Sequence, residues 1–251
     1  MLKPESMQAG HFNVVDSEKF YRGIELIRES LFDNGATLFS SDNLITWNKN
    51  YSFLRDKFFI DILHNPQYTL MDKSIIWRTY ILLYFAERAL RVPGDFMELG
   101  CYLGYTAQQV INRLSFANLN RLYYLYDLFT WKEGDEHTKH VAHDDPKMFE
   151  GVKARFSSYD FVRLIRGAVP ESFDQGFPDQ IAFAHIDMNH PVPEAGALRA
   201  ILPRLSPGGI IILDDYGWWG YSTQKEILDT ILEEHGVMVL ELPTGQGLVM
   251  N

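Results

Sequence analysis

Residues 93–251 predict an α/β domain built on an open, doubly wound, mostly parallel sheet, and three observations carry that prediction. Apolar runs with no polar alternation recur from about residue 94 to the end of the chain, as strands buried on both faces require. Amphipathic helical patterns separate most of them, the order expected when helices cover both faces of a sheet. The last two runs, "VMVLEL" and "GLVMN", are joined only by "PTGQ", which is too short for a parallel crossover. They predict an antiparallel hairpin at one end of the sheet, with the last strand reversed.

Each element follows in turn. "SIIWRTYILLYFAERAL" sets Leu82, Phe85, Ala86, Ala89 and Leu90 on one helical face, and "RVPG" stops it. Before this helix, Asp, Asn and Ser clusters interleave with aromatics and show no repeating strand pattern, so residues 1–92 are expected to form a helical, partly irregular N-terminal cap. "DFMELG" is the first strand, followed by a helix carrying Ala107, Val110, Ile111 and Leu114. "RLYYLYD", "FVRLIRG" and "IAFAHID" are the next three. A helix with Ala197, Leu198, Ile201, Leu202 and Leu205 leads to "GIIILDD", and one with Ile227, Leu228, Ile231 and Leu232 leads to the terminal hairpin.

Composition narrows the function. At 251 residues and 46% hydrophobic content the chain buries a full core. A formal net charge of -10, with no long run of Lys or Arg, argues against nucleic acid as a partner. No apolar stretch is long enough to span a bilayer, no signal-peptide pattern opens the chain, and the single Cys101 has no internal partner, so a cytoplasmic protein is expected. A small molecule is the expected partner, and a homo-oligomer is compatible with the sequence.

Ligands of doubly wound sheets sit at the carboxyl ends of the strands, where strand order reverses. The first strand ends "MELGCYLGYTA": Gly100 and Gly104 allow a tight turn ahead of a helix, with Tyr102 between them where a dinucleotide site would want a further glycine. Glu98 precedes the turn, and Asp127 closes the second strand, where an acid accepts hydrogen bonds from ribose hydroxyls. A carboxylate before the turn suits a cationic ligand without phosphates, and S-adenosylmethionine, a sulfonium with an ammonium, is the expected cofactor. A dinucleotide-dependent oxidoreductase is the alternative, and a catalytically silent cofactor-binding protein a third reading.

"ELGCYLGYTA", "YDLF", "RGAVPESF" and "AFAHIDMNHPVPEAGALRAILPRLSPGGIIILDDYG" together resemble class I S-adenosylmethionine-dependent methyltransferases, in particular the macrocin O-methyltransferase family, which modifies sugars of natural products. The resemblance covers residues 85–235. It implies a seven-stranded Rossmann-like sheet with a reversed seventh strand, Gly167 and Ala168 beside the adenine, a magnesium ion at the substrate hydroxyl, and a sugar-bearing acceptor.

Asp187 ends the fourth strand, and Asp214 and Asp215 end the fifth. Adjacent parallel strands lie about 4.8 Å apart, so acids at their ends converge, and three carboxylates so close need a cation. Oxygen ligands select a hard ion, Mg²⁺, with Mn²⁺ or Ca²⁺ able to substitute. The same strand ends supply the metal ligands in catechol-type O-methyltransferases, which this pattern also resembles. His190, three residues after Asp187, is the expected general base, with Asp187 as an alternative. Asn189 and Pro191 depart from the Asp-x-Asp-x-Tyr of the macrocin family at this point. His185, inside the strand, reads as a core or supporting residue. His137, His140 and His143 read as part of a substrate cover, and Trp218 and Trp219 as a platform for the acceptor or a packing surface.

Overall fold

A computed structural model describes residues 7–130 and 147–251. The His137, His140 and His143 segment lies outside the described residues. The chain divides into two compact units, Met1–Ile81 and Leu82–Asn251. The division falls inside a helix that the sequence assigned whole to the N-terminal cap.

The first unit contains β1 (Met7–Gln8), α1 (Ser17–Ser30), β2 (Phe39–Ser41), β3 (Leu44–Thr46), α2 (Lys57–His64) and α3 (Leu70–Ser74), and it begins α4 (Ile76–Ala89). The helices start where the sequence supplies caps: Asp16 accepts from Lys19 N–H, Asp56 from Phe58 N–H, and Thr69 with Asp72 forms a capping box. Besides these helices the unit holds a three-stranded sheet, β1-β2-β3, that the expectation of a helical cap did not include. Strands of two and three residues leave no readable period. The β2–β3 hairpin turns on Asp42 and Asn43, both at positive φ, as a two-residue type I′ connection requires. Asp42 is also buried against Arg78, whose Nε and one terminal nitrogen donate to its two oxygens at 2.8 Å each.

The second unit completes α4 and continues with β4 (Asp95–Leu99), α5 (Tyr105–Leu114), β5 (Tyr123–Asp127), α6 (Met148–Phe156), β6 (Val162–Arg166) and β7 (Ile181–Ile186). It ends with α7 (Pro191–Ile201), β8 (Leu205–Leu213), α8 (Ser222–Glu234), β9 (Val239–Glu241) and β10 (Gly247–Met250). The sheet has seven strands in the order β6-β5-β4-β7-β8-β10-β9. β10 runs antiparallel to both β8 and β9 and lies between them. The expected doubly wound α/β sheet with a reversed last strand is therefore present. The dinucleotide-binding order 3-2-1-4-5-6 has no such inserted strand.

Every residue of β7 is buried, as are Ile210 to Leu213 of β8, because helices cover both faces of the sheet. Ala197, Leu198 and Ile201 of α7 and Leu228, Ile231 and Leu232 of α8 form one core cluster with β7 and β8. Among the described residues no helix is long and apolar enough to cross a membrane.

Candidate functional site

Strand order reverses beside β4, whose neighbours are β5 on one side and β7 on the other. Gly100 sits at this junction with φ +85, and a β-carbon there would overlap the carbonyl of Asp187. The loops leaving β4 and β7 thus touch backbone to backbone, which only glycine permits. Gly104, at φ +74, is the N-cap of α5, and a β-carbon on it would run into the Phe156 ring.

On the β5 side, backbone hydrogen bonds tie three loops together. Gly100 and Cys101 N–H both donate to Tyr126 O. Tyr102, at φ +47, donates its N–H to Asp127 Oδ2 at 2.7 Å, and Phe129 N–H donates to Asp127 Oδ1 at 2.7 Å. Gly167 N–H donates to Asp127 O at 3.0 Å, and Ala168 O accepts from Ser172 N–H. Tyr102, Asp127 and Gly167, predicted separately to line a cofactor pocket, so belong to one bonded rim. Burial pushes the Asp127 carboxyl up, against the opposing pull of the Phe129 and Tyr102 N–H groups. Each of its oxygens has a second lone pair, the capacity a diol ligand needs. Burial also pushes the Cys101 thiol up, which fits a packing role rather than a redox one.

On the β7 side the acids hang from the last rungs of the sheet. Asp187 N–H donates to Leu99 O and Asp214 N–H to Ile186 O, both at 2.9 Å. One ligand atom from each of His185, Asp187 and Asp214 lies within 4.8 Å of the other two. Asp215, half-buried and next in the chain, is not among the three. Asn189 Nδ2 donates to Asp187 Oδ1 at 3.2 Å and Gln246 Nε2 donates to Asp214 Oδ1 at 3.1 Å, so an amide orients each carboxylate. Two carboxylates, each braced by an amide, and an imidazole gathered at one edge are a donor set that fits a divalent cation.

His185, read from the sequence as a core or supporting residue, is buried between two carboxylates. The register places it beside Glu98 on β4 and Ile212 on β8. Its Nδ1 is 3.5 Å from Glu98 Oε1 and its Nε2 is 3.5 Å from Asp214 Oδ1, both long ion-pair contacts without well-formed hydrogen-bond geometry. Desolvation is the largest effect on this imidazole and lowers its pKa. The hydrogen-bonding and charge of Asp214 and Glu98 outweigh it and push the group up to about 10.

Glu98, expected at the donor, is 1% exposed, and Tyr123 Oη donates to its Oε2 at 3.2 Å. A polar row therefore crosses the sheet from Tyr123 through Glu98, His185 and Asp214 to Gln246, whose Oε1 accepts from Thr244 Oγ1 at 3.1 Å. Gln246 sits in the β9–β10 connection that the sequence showed only as a short turn. The alternation of strand faces was the available signal for His185, because residues 185 and 187 share a face.

His190 is exposed and forms the N-cap of α7, its Nδ1 accepting from Val192 N–H at 3.3 Å. One turn on, Glu194 is buried, and its Oε1 accepts from Met188 N–H at 3.1 Å and Asn189 N–H at 2.9 Å. Burial pushes this carboxyl up to about 8 against those two N–H groups. Glu194 thus fixes the loop between Asp187 and His190. Trp218 packs over Gly245, while Trp219 is 93% exposed.

Residues 97–216 match a family model described as a methyltransferase domain. A Streptomyces olivaceus 8-demethyl-8-(2,3-dimethoxy-alpha-L-rhamnosyl)-tetracenomycin-C 4'-O-methyltransferase is 26% identical over 153 residues, covering 54% of this chain and 58% of that protein. The chain thus aligns with little more than half the length of that curated relative. The O-methyltransferase NovP superposes with a TM-score of 0.57 at 19% identity, over 73% of this chain and 81% of its own. The S-adenosylhomocysteine-bound Podospora anserina methyltransferase PaMTH1 superposes at 0.50 with 17% identity, over 94% of this chain and 96% of its own. At these identities the structural likeness is one of fold, and the matches together bear out the methyltransferase resemblance drawn from the sequence.

Proposed function

We propose that this chain, which carries a methyltransferase domain over residues 97–216, is an S-adenosylmethionine-dependent O-methyltransferase acting on a hydroxyl of a small, sugar-bearing natural product. The observation that carries the reading is the pairing of two sites across the β4–β7 junction. A bonded rim of Tyr102, Asp127 and Gly167 lies on one side, and a braced acid pair, Asp187 and Asp214, on the other. The rhamnosyl acceptor named for the Streptomyces olivaceus relative supports a sugar as the methylated group.

In this reading Asp127 receives the ribose hydroxyls, and Gly100 and Gly104 allow the backbone of the first loop to approach the donor. Gly167 and Ala168 flank the adenine. Glu98 was expected to face the donor's positive charge, and its burial makes that contact indirect. Asp187 and Asp214, with Asp215 beside them, would hold Mg²⁺, and a divalent cation there supplies Lewis acidity that makes an alcohol a better nucleophile at neutral pH. Asn189 and Gln246 hold the two carboxylates in place. The methyl group passes from sulfur to the acceptor oxygen, and the hydroxyl proton leaves to a base. His190 is that base in our reading, and to accept a proton at Nδ1 it must first release the Val192 N–H.

Calorimetry tests the donor and a chelator tests the metal. S-adenosylhomocysteine should bind and NAD should not, and methyl transfer to a rhamnosylated acceptor should stop in EDTA and return with Mg²⁺. Binding of NAD with no response to S-adenosylhomocysteine would overturn the reading in favour of an oxidoreductase. Transfer that continues in EDTA would remove the metal from it.

A further inference from the structure

We propose that His185 is itself a metal ligand, completing with Asp187 and Asp214 a mixed nitrogen and oxygen site for a first-row transition ion such as Mn²⁺, while Glu98 orients the imidazole. The inference rests on the divalent-cation reading above and changes its ligand set and its preferred ion.

Three observations support it. Among the described residues, His185, Asp187 and Asp214 form the group whose ligand atoms come within 4.8 Å of one another, and it includes the histidine. His185 is 2% exposed, and both of its ring nitrogens lack a hydrogen bond. Nε2 meets Asp214 Oδ1 only at ion-pair range and makes no hydrogen bond, so a cation between the two can take the place of the ring's proton. Lastly, Nδ1 faces Glu98 Oε1 at 3.5 Å while Nε2 faces Asp214 Oδ1 at 3.5 Å. Histidines that bind metals through one nitrogen usually present the other to a carboxylate, which fixes tautomer and ring orientation. Glu98, braced in turn by Tyr123 Oη, fits that supporting role.

An imidazole in the set shifts selectivity. Mg²⁺ prefers oxygen ligands and keeps much of its water, whereas Mn²⁺, Co²⁺ and Zn²⁺ accept imidazole readily. Strand geometry brings the set together: His185 lies on β7, Asp187 follows one residue past its end, and Asp214 follows the adjacent β8.

The test is pulsed electron paramagnetic resonance of the whole 251-residue chain with less than one equivalent of Mn²⁺. The expected spectrum shows a directly bound ¹⁴N, which changes to ¹⁵N when the histidines are labelled and disappears in His185→Gln. Calorimetry on the same variant should show Mn²⁺ affinity lowered by about 10–100-fold, with Mg²⁺ affinity little changed. If His185→Gln does not fold, a variant with His137, His140, His143 and His190 all changed to Gln must keep the nitrogen signal. Bound Mn²⁺ with no nitrogen coupling would overturn the inference and leave an oxygen-only site that includes Asp215. No bound Mn²⁺, together with methyl transfer that survives EDTA, would overturn the metal reading itself.

Discussion

The two sides of the β4–β7 junction are built by different means. On the β5 side the rim is held by main-chain N–H groups, with Asp127 the one side chain in its framework. On the β8 side the acids are held by other side chains, Asp187 by Asn189 and Asp214 by Gln246, and Asp214 belongs to a row that starts from Tyr123 on β5, ends at Thr244 and lies almost wholly out of water. A backbone-built site depends on a few glycines and tolerates most side-chain changes. A side-chain-built site depends on every member, because removing one leaves a buried partner unsatisfied. In the proposed reading the first side would take the donor and the second would hold the cation.

The largest effect is expected where the two sides touch. Gly100→Ala puts a β-carbon against the Asp187 carbonyl at a φ of +85. A left-handed non-glycine residue costs about 1–2 kcal/mol and overpacking a further 1–3 kcal/mol, so a loss of roughly 2–5 kcal/mol is expected. Thermal unfolding should show the midpoint lowered by about 5–15 °C, with S-adenosylhomocysteine and Mn²⁺ both bound more weakly. A variant that unfolds normally and loses only one ligand would show that the loops do not share this backbone seam.

Gln246→Leu asks whether the acid side can be weakened alone. The change removes the amide that donates to Asp214 Oδ1 while keeping most of the side-chain volume. Loss of such a brace typically lowers metal affinity about 10–100-fold, and S-adenosylhomocysteine affinity should stay within about twofold. A parallel fall in both, measured by calorimetry, would make the two sides one site.

The same contrast explains what could be read in the sequence. The central strands of the second unit were legible because parallel strands buried on both faces are continuous apolar runs, and "PTGQ" was too short to join the last two any other way. Gly100 and Asp127 were legible because turn and strand-end positions are local. The polar row was not, since from Tyr123 to Gln246 each link joins residues at least 25 positions apart, on different elements. His185 carried a readable sign, sharing a strand face with Asp187, whereas Gln246 carried none. In the first unit the hairpin at Asp42 and Asn43 was missed because its strands are three residues long.

The smallest structural change tests the most specific chemical assignment. His190 both caps α7 and stands as the proposed base, and the two roles use the same atom, Nδ1. Asn is among the best N-capping residues and cannot act as a base near neutrality, so His190→Asn separates the roles. If His190 takes the proton, this variant should unfold at the same temperature as the parent while kcat falls about 10²–10⁴-fold. His190→Ala should lose the same rate and also about 1 kcal/mol of stability. An unchanged kcat in His190→Asn would leave His190 as a cap and pass proton removal to Asp187, which would then serve the ion and the acceptor on the brittle side of the site.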